Sequence, residues 1–367
     1  MRPRLIHASA ALAATLMLVA CGADDPPPPQ GSGGRLQNAD LPKGSSGTLV
    51  VARDGEMLDC RGWGLSDREE EVAAGCDTVY DVMSMTKQFT AAAILKLQMQ
   101  GRLQVTDPLG RYVADVPPDK SGITLQHLLT HTAGLTDSLG GDYDPLSRSD
   151  LVAAALASEL RSAPGTTYHY SNVGYSLLAV IIEEASGVGY EEYLAEELFG
   201  PAGMTSTGYV LPAWDPADVA VEYDARDRPQ GRPFEHPWAE DGPYWNLRGN
   251  GGLLSTARDM YRWYVALESE QVLDAQAKRE LFRPRVLEEP GGDTRYAYGW
   301  VVMETARGTV QWHNGGNGWS YGEITRVPEA RAMVFWVTNQ VSGRGWEFDG
   351  DDGVALTQMA VERLLDG

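Results

Sequence analysis

The sequence predicts a mixed α/β (α+β) protein: one antiparallel sheet flanked by helices, with a helical region inserted between its strands. Three observations predict it. Short β-like runs stand at both ends of the folded region, the late ones rich in Val, Trp and Tyr, and helical character dominates its middle. The composition, 43% hydrophobic and 22% charged, is globular. Strands at both ends with helices between them place the two ends of the region in one sheet. No internal repeat is present.

Taken in order, residues 48–52 and 56–63 read as short strands, with Asp54-Gly55 as a hairpin turn between them. Residues 85–100 read as a helix with apolar Phe89, Ala92, Ala93, Leu95, Leu97 and Met99, closed by Gly101. Further helices are expected over 151–160, 175–185 and 190–198. Strands return over 298–304, 309–313, 321–327 and 332–338, separated by turn residues, and 354–365 closes the chain as an amphipathic helix.

The first 47 residues do not fit that scheme. Arg2 and Arg4 precede an apolar run from Ala8 to Ala20, which is too short to span a bilayer comfortably. A basic start, a short apolar core and a small residue before the cut form a secretory signal peptide. The ending Leu18-Val19-Ala20-Cys21 resembles a bacterial lipobox, in which cleavage precedes a lipidated cysteine; an ordinary signal peptide with an incidental cysteine is the alternative. Gly22 follows, where an aspartate would resemble an inner-membrane retention signal, so an outer-membrane or periplasmic placement is favoured over retention, with the cell surface as the alternative. Four prolines, Pro26 to Pro29, and Gly/Ser-rich chain then read as a tether. The expected organisation is a signal peptide over 1–20, a lipidated cysteine and tether over 21–47, and one domain over 48–367.

The formal net charge is −21, from 30 Lys+Arg against 51 Asp+Glu. An acidic body without a basic run repels phosphate backbones, which argues against nucleic-acid binding. Only five lysines are present, at positions 43, 87, 96, 120 and 278. In an exported chain the two remaining cysteines, Cys60 and Cys76, are expected as a disulfide rather than a redox or metal site, with two buried free thiols as the alternative.

Chemistry is suggested first by Ser84-Met85-Thr86-Lys87, where a β-like approach turns into a helix. A serine hydroxyl needs a base, and on a helix i and i+3 share a face, so Lys87 can reach the Ser84 oxygen. The helix N-terminus adds N–H groups that favour developing negative charge. Alone this motif is weak, since an N-cap serine near a solvated lysine reads the same way. Two more motifs follow in order: Tyr168-His169-Tyr170-Ser171-Asn172, and His313-Asn314-Gly315-Gly316 at the end of a strand.

The order S-x-x-K, Y-x-N, H-x-G resembles the serine β-lactamase and penicillin-binding-protein superfamily. Tyr170 and His313 point to its class C-like branch, which includes class C β-lactamases, D-alanyl-D-alanine carboxypeptidases, D-aminopeptidases and β-lactamase-like carboxylesterases. Segments 86–91, 128–135 and 251–259 extend the resemblance over nearly all of 48–367. It implies the β-lactamase/transpeptidase-like fold. It also implies a nucleophile at Ser84, proton transfer by Lys87 and Tyr170, and Asn172 bonded to Lys87 and to the substrate's amide-like group. The oxyanion would sit between the backbone N–H groups of Ser84 and Gly316, beside His313 and Gly315. A Lys87 ammonium would favour the phenolate of Tyr170. No metal and no cofactor are called for. The substrate is expected to be a small ester, a D-amino-acid amide or peptide, or a β-lactam. The membrane is expected as a partner through the N-terminal lipid. A penicillin-binding module with poor turnover is the non-enzymatic alternative.

Other motifs compete. Gly318-Trp319-Ser320-Tyr321-Gly322 matches G-x-S-x-G, yet a strand rather than a helix is expected after Ser320, and no histidine follows His313. His127 and His131 are four apart but lack the glutamate of H-E-x-x-H and a third ligand. His169 and His236 have no partner pattern. Tyr244, Trp245, Trp319 and Tyr321 suit a core as well as a pocket wall.

Overall fold

The computed structural model describes residues 40–366. The signal peptide, Cys21 and the tether up to residue 39 lie outside the described residues. Strands β1 (Gly47–Arg53) and β2 (Glu56–Trp63) form the expected hairpin. Asp54 and Gly55 at its tip both have positive φ, 55° and 80°, the conformation a two-residue turn between right-twisted strands demands.

The late strands are β3 (Val286–Leu287), β4 (Thr294–Tyr296), β5 (Val301–Thr305), β6 (Gly308–Gly316), β7 (Tyr321–Val327) and β8 (Ala332–Thr338). All eight join one antiparallel sheet in the order β3-β4-β5-β6-β7-β8-β1-β2, so the early hairpin sits beside the last strand. Both faces of this sheet are covered. Val50, Ala52, Met333, Phe335 and Val337 belong to the main core, while Leu49, Val51, Val334 and Trp336 pack into a second core under the C-terminal helix. Alternate residues thus bury on opposite faces, which is why β1 and β8 read as nearly continuous apolar runs.

Helix α1 (Thr86–Met99) is buried over most of its length. Beside it lie α2 (Leu125–Leu129), α3 (Arg148–Ala157), α4 (Asn172–Ser186) and α5 (Tyr190–Leu194), the inserted helical region. Ser171 caps α4 by accepting from Gly174 N at 3.1 Å, and Gly187 ends it with φ 81°. Helices α6 (Ala257–Glu268), α7 (Ala275–Phe282) and α8 (Asp351–Asp366) complete the fold. No helix among the described residues is long and apolar enough to cross a membrane.

Three boundaries differ from expectation. Residues 40–46, expected in the tether, lie against the body: Leu41 is buried and Trp63 Nε1 donates to Ser45 Oγ at 3.0 Å. The expected helix over 190–198 widens into a π-turn from Ala195 to Phe199. The strand expected at 298 begins at Val301, because residues before it fold over the start of α1. Gly299 there has φ 71°, and a β-carbon would come 2.7 Å from the Lys87 carbonyl oxygen.

Cys60 on β2 is bonded to Cys76, with Cα atoms 5.4 Å apart. The bridge ties the sheet edge to the segment that leads into Ser84. A Cys60→Ala/Cys76→Ala variant is expected to lose about 3 kcal/mol of stability, read as a lower Tm, and non-reduced mass spectrometry of the parent should show no free thiol at either position. Two free thiols, or an unchanged Tm, would contradict this.

Candidate active site

The site begins with a strained turn. The chain leaves the short strand Tyr80–Asp81, passes Met83 and enters a single 3₁₀ turn, Met83–Met85, that runs into α1. Met83 has φ 47°, a left-handed conformation that costs a residue with a side chain roughly 1–2 kcal/mol. Asp81 holds it by accepting from Met83 N at 2.6 Å, and Leu253 O accepts from Val82 N at 2.8 Å. Ser84 is thereby lifted, half-buried, to the mouth of α1.

Lys87 has no exposed surface. Its Nζ is within hydrogen-bond distance of Ser84 Oγ at 3.0 Å, donates to Asn250 O at 2.6 Å, and lies over the Tyr170 ring at 4.9 Å from the centroid. Burial pushes its pKa well below the ordinary lysine value, and Asp142 opposes that only in part. Asn250 is held in turn by bonds from its Nδ2 to Ser176 Oγ at 2.8 Å and Asn246 O at 2.7 Å.

Tyr170 precedes the α4 cap. Burial raises its pKa, and hydrogen bonding from Ser84 lowers it only partly. The structure therefore corrects the expected ammonium–phenolate pair: with both groups out of water, the neutral amine and the neutral phenol are favoured. His131 lies against Tyr170, ring centroids 4.3 Å apart, and its Nδ1 accepts from Ser171 N at 3.0 Å. Asn172 departs from expectation too. Lys87 bonds Ser84 and Asn250 rather than Asn172, whose buried Oδ1 has no partner.

The end of β6 forms the opposite wall. A β-carbon on Gly315 would come 2.8 Å from Ser84 N and 2.8 Å from Met83 Cβ. Only glycine lets this strand press against the nucleophile's turn, which is the close approach that an oxyanion site between strand and helix requires. His313 is buried. Its Nδ1 contacts Asn314 O at 2.6 Å and its Nε2 contacts Tyr296 OH at 3.0 Å. A carbonyl can only accept, so Nδ1 carries the proton and Nε2 accepts from the tyrosine. Burial lowers the His313 pKa to about 3, with Lys87 adding to the effect, so the ring is neutral at neutral pH.

Asp81 links the two walls, and sequence reasoning missed it. One carboxylate oxygen takes Met83 N; the other accepts from Asn317 Nδ2, one residue past Gly316, at 3.1 Å. Asn317 Nδ2 also donates to Glu222 Oε1 at 2.7 Å. Burial and the neighbouring Glu222 push the Asp81 pKa up to about 8, against the two hydrogen bonds that stabilise its charged form. Its place three residues before Ser84 was the one available signal.

The competing motifs go elsewhere. Ser320 is buried, donates to Glu222 Oε1 at 2.6 Å and leads into β7 rather than a helix. His127 Nδ1 accepts from Thr124 N at 3.3 Å, and His131 is engaged by Ser171. Among the described residues no His/Cys/Asp/Glu group is placed to hold a metal ion. His169 donates its backbone N–H to His131 O at 2.8 Å, and His236 packs against both Tyr143 and Trp319. Of the four loop aromatics, Tyr321 lines the cavity of about 410 Å³ that also contains Ser84, Tyr170, Gly315 and Gly316.

The Beta-lactamase family model matches residues 40–357 of this sequence. The chain belongs to the β-lactamase family. Among curated relatives it is 32% identical over 259 residues to the penicillin-binding-protein candidate PbpX of Bacillus subtilis, covering 71% of this chain and 62% of that one. The chain thus spans less than two thirds of that relative's length. A penicillin-binding protein from Bacillus halodurans superposes with a TM-score of 0.73 at 25% identity, covering 86% of this chain and 96% of that one. A D-amino acid amidase from Ochrobactrum anthropi SV3 shares the fold with a TM-score of 0.74 at 22% identity, covering 88% and 95% of the two chains. The β-lactamase-family serine hydrolase fold is therefore that of this chain.

The Gly315 approach is directly testable. Gly315→Ala is expected to lower Ser84-dependent turnover on the order of 100-fold, the cost of displacing a reacting group by about 1 Å, while the far-ultraviolet circular dichroism is retained. Parent-like turnover would contradict the close approach.

Proposed function

We propose that the protein is a serine hydrolase that works through an acyl-enzyme on Ser84 and cleaves esters or D-amino-acid amides and peptides. The observation that carries this reading is the buried Lys87 amine at 3.0 Å from the Ser84 hydroxyl. A neutral amine that donates one N–H to Asn250 O keeps a lone pair, so the Ser84 O–H can donate to it and lose its proton there as Oγ attacks the substrate carbonyl. The oxyanion would be received by the backbone N–H groups of Ser84 and Gly316. On collapse, the leaving group takes the proton back from Lys87 by way of Tyr170. Water then enters and loses a proton to Lys87 by way of Tyr170 as its oxygen attacks the acyl carbonyl, and Lys87 returns that proton to Ser84 Oγ as the carboxylic acid leaves. Asn172 would hydrogen-bond the substrate's amide-like group once substrate binding uncovers its buried, unpartnered Oδ1.

His313 separates this reading from efficient β-lactam hydrolysis. A neutral ring with both nitrogens engaged offers no cation for the carboxylate that penicillins and cephalosporins carry. That argues equally against a D-alanyl-D-alanine carboxypeptidase, whose substrates end in a carboxylate. We further propose that the protein is exported and held at a membrane, outer membrane favoured, by a lipid on Cys21; this rests on the N-terminal sequence.

The expected result is a higher kcat/KM for p-nitrophenyl butyrate than for nitrocefin at both pH 6 and pH 8, with both activities lost in Ser84→Ala and Lys87→Ala, and Tyr170→Phe less severely affected. A nitrocefin value well above the ester value at both pH values would make β-lactamase the better name. Stable labelling of Ser84 by penicillin without ester turnover would favour a binding module.

A further inference from the structure

The catalytic cavity carries a charge pattern that the chemistry at Ser84 does not explain. Glu347 and Asp349 line it together with Ser84, Tyr170 and Asn314, and no lysine or arginine does. Their position is built into the fold. Trp346 and Phe348 alternate with them and are buried, packing on each other at 5.1 Å, with Phe348 against Trp336 at 5.3 Å. Phe348 N donates to Val341 O at 2.8 Å, and Glu347 N donates to Asp352 Oδ2 at 2.8 Å. The intervening side chains, Glu347 and Asp349, are exposed and border the cavity. Neither carboxylate is paired with a basic side chain among the described residues.

A third carboxylate, Asp142, is outside the cavity lining but near Lys87, and burial raises its own proton affinity. Asp142 lies close enough to Lys87 for each to shift the other's proton affinity, and it also raises that of Asp81. The nearby basic groups do not offset these charges: Lys87 and His313 are both driven toward their neutral forms by burial. The whole chain, at −21, adds to the same field. A cleft walled by one sign of charge concentrates ligands of the other sign and repels its own.

We infer that the cavity selects acyl donors carrying an ammonium group, such as D-aminoacyl amides or esters with a free amine, and that Glu347 and Asp349 set this preference. The inference rests on Ser84 as the nucleophile and adds to it the charge of the substrate. The carboxylates make no site of their own; they decide what approaches the Ser84 hydroxyl.

Three p-nitroanilides test it: D-alanine with a free ammonium, its N-acetyl derivative and its N-succinyl derivative. They share the scissile bond and differ in charge at the amino end. The free ammonium is expected to exceed the acetyl compound about tenfold in kcat/KM, and the acetyl compound to exceed the succinyl one. High salt and the Glu347→Gln/Asp349→Asn variant should each flatten the series. If the anilides are not cleaved, the same order is expected in their inhibition constants against p-nitrophenyl acetate. A flat or reversed order in the parent, or an order that the double variant leaves intact, overturns the inference alone, provided that acetate turnover depends on Ser84. If the parent hydrolyses p-nitrophenyl acetate no faster than Ser84→Ala does, the hydrolase reading falls and takes this inference with it.

Discussion

Lys87 brings an amine with no exposed surface to 3.0 Å from the Ser84 hydroxyl and 2.6 Å from the Asn250 carbonyl. Removing an ammonium from water without a bonded carboxylate is costly, and a lysine in that position sheds its proton instead. The remaining features of the site follow from that constraint. Asn250 O orients the amine, and the Asn246–Asn250–Ser176 bonds keep the carbonyl in place. The folded protein spends stability to keep a base dry beside its nucleophile. Asp142, the carboxylate that partly restores the charged form, stands at a distance rather than in an ion pair.

The nucleophile is held as deliberately as the base. Met83 takes up a backbone conformation that a side chain disfavours, and the strain persists because Asp81 and Leu253 over-determine it. Asp81 also reaches Asn317, so the helix side and the strand side of the proposed oxyanion site share one carboxylate. Gly315 lets the two sides meet. The wide sheet and its two covered faces supply the rigidity that such close contact needs.

Much of this was legible in the sequence, and for identifiable reasons. The strands of the hairpin and of β7 and β8 are short and bounded by turn residues, and β1, β7 and β8 are rich in β-branched residues, so their limits fall within a residue or two of the expected ones. Ser84 and Lys87 are neighbours through helical spacing, and that spacing survives folding. Helices α6 and α7 went unread although their charged and apolar residues alternate at helical spacing. Asn250 escaped because a backbone carbonyl has no side-chain signature. The phenolate expected at Tyr170 and the Asn172–Lys87 bond failed for a related reason: motif order says which residues meet, while burial decides their protonation and their partners. Residues 40–46 look like tether by composition, yet Leu41 finds an apolar surface on the far face of the sheet.

The central claim, that burial keeps Lys87 neutral as the base for Ser84, is most directly tested by following its ammonium. With five lysines in the chain, selectively labelled lysine gives few enough resonances for an NMR pH titration. One resonance is expected to titrate well below the ordinary lysine range and to disappear in Lys87→Arg, while those of the other lysines remain. Titration of every lysine, Lys87 included, near the ordinary value of about 10.4 would contradict the account.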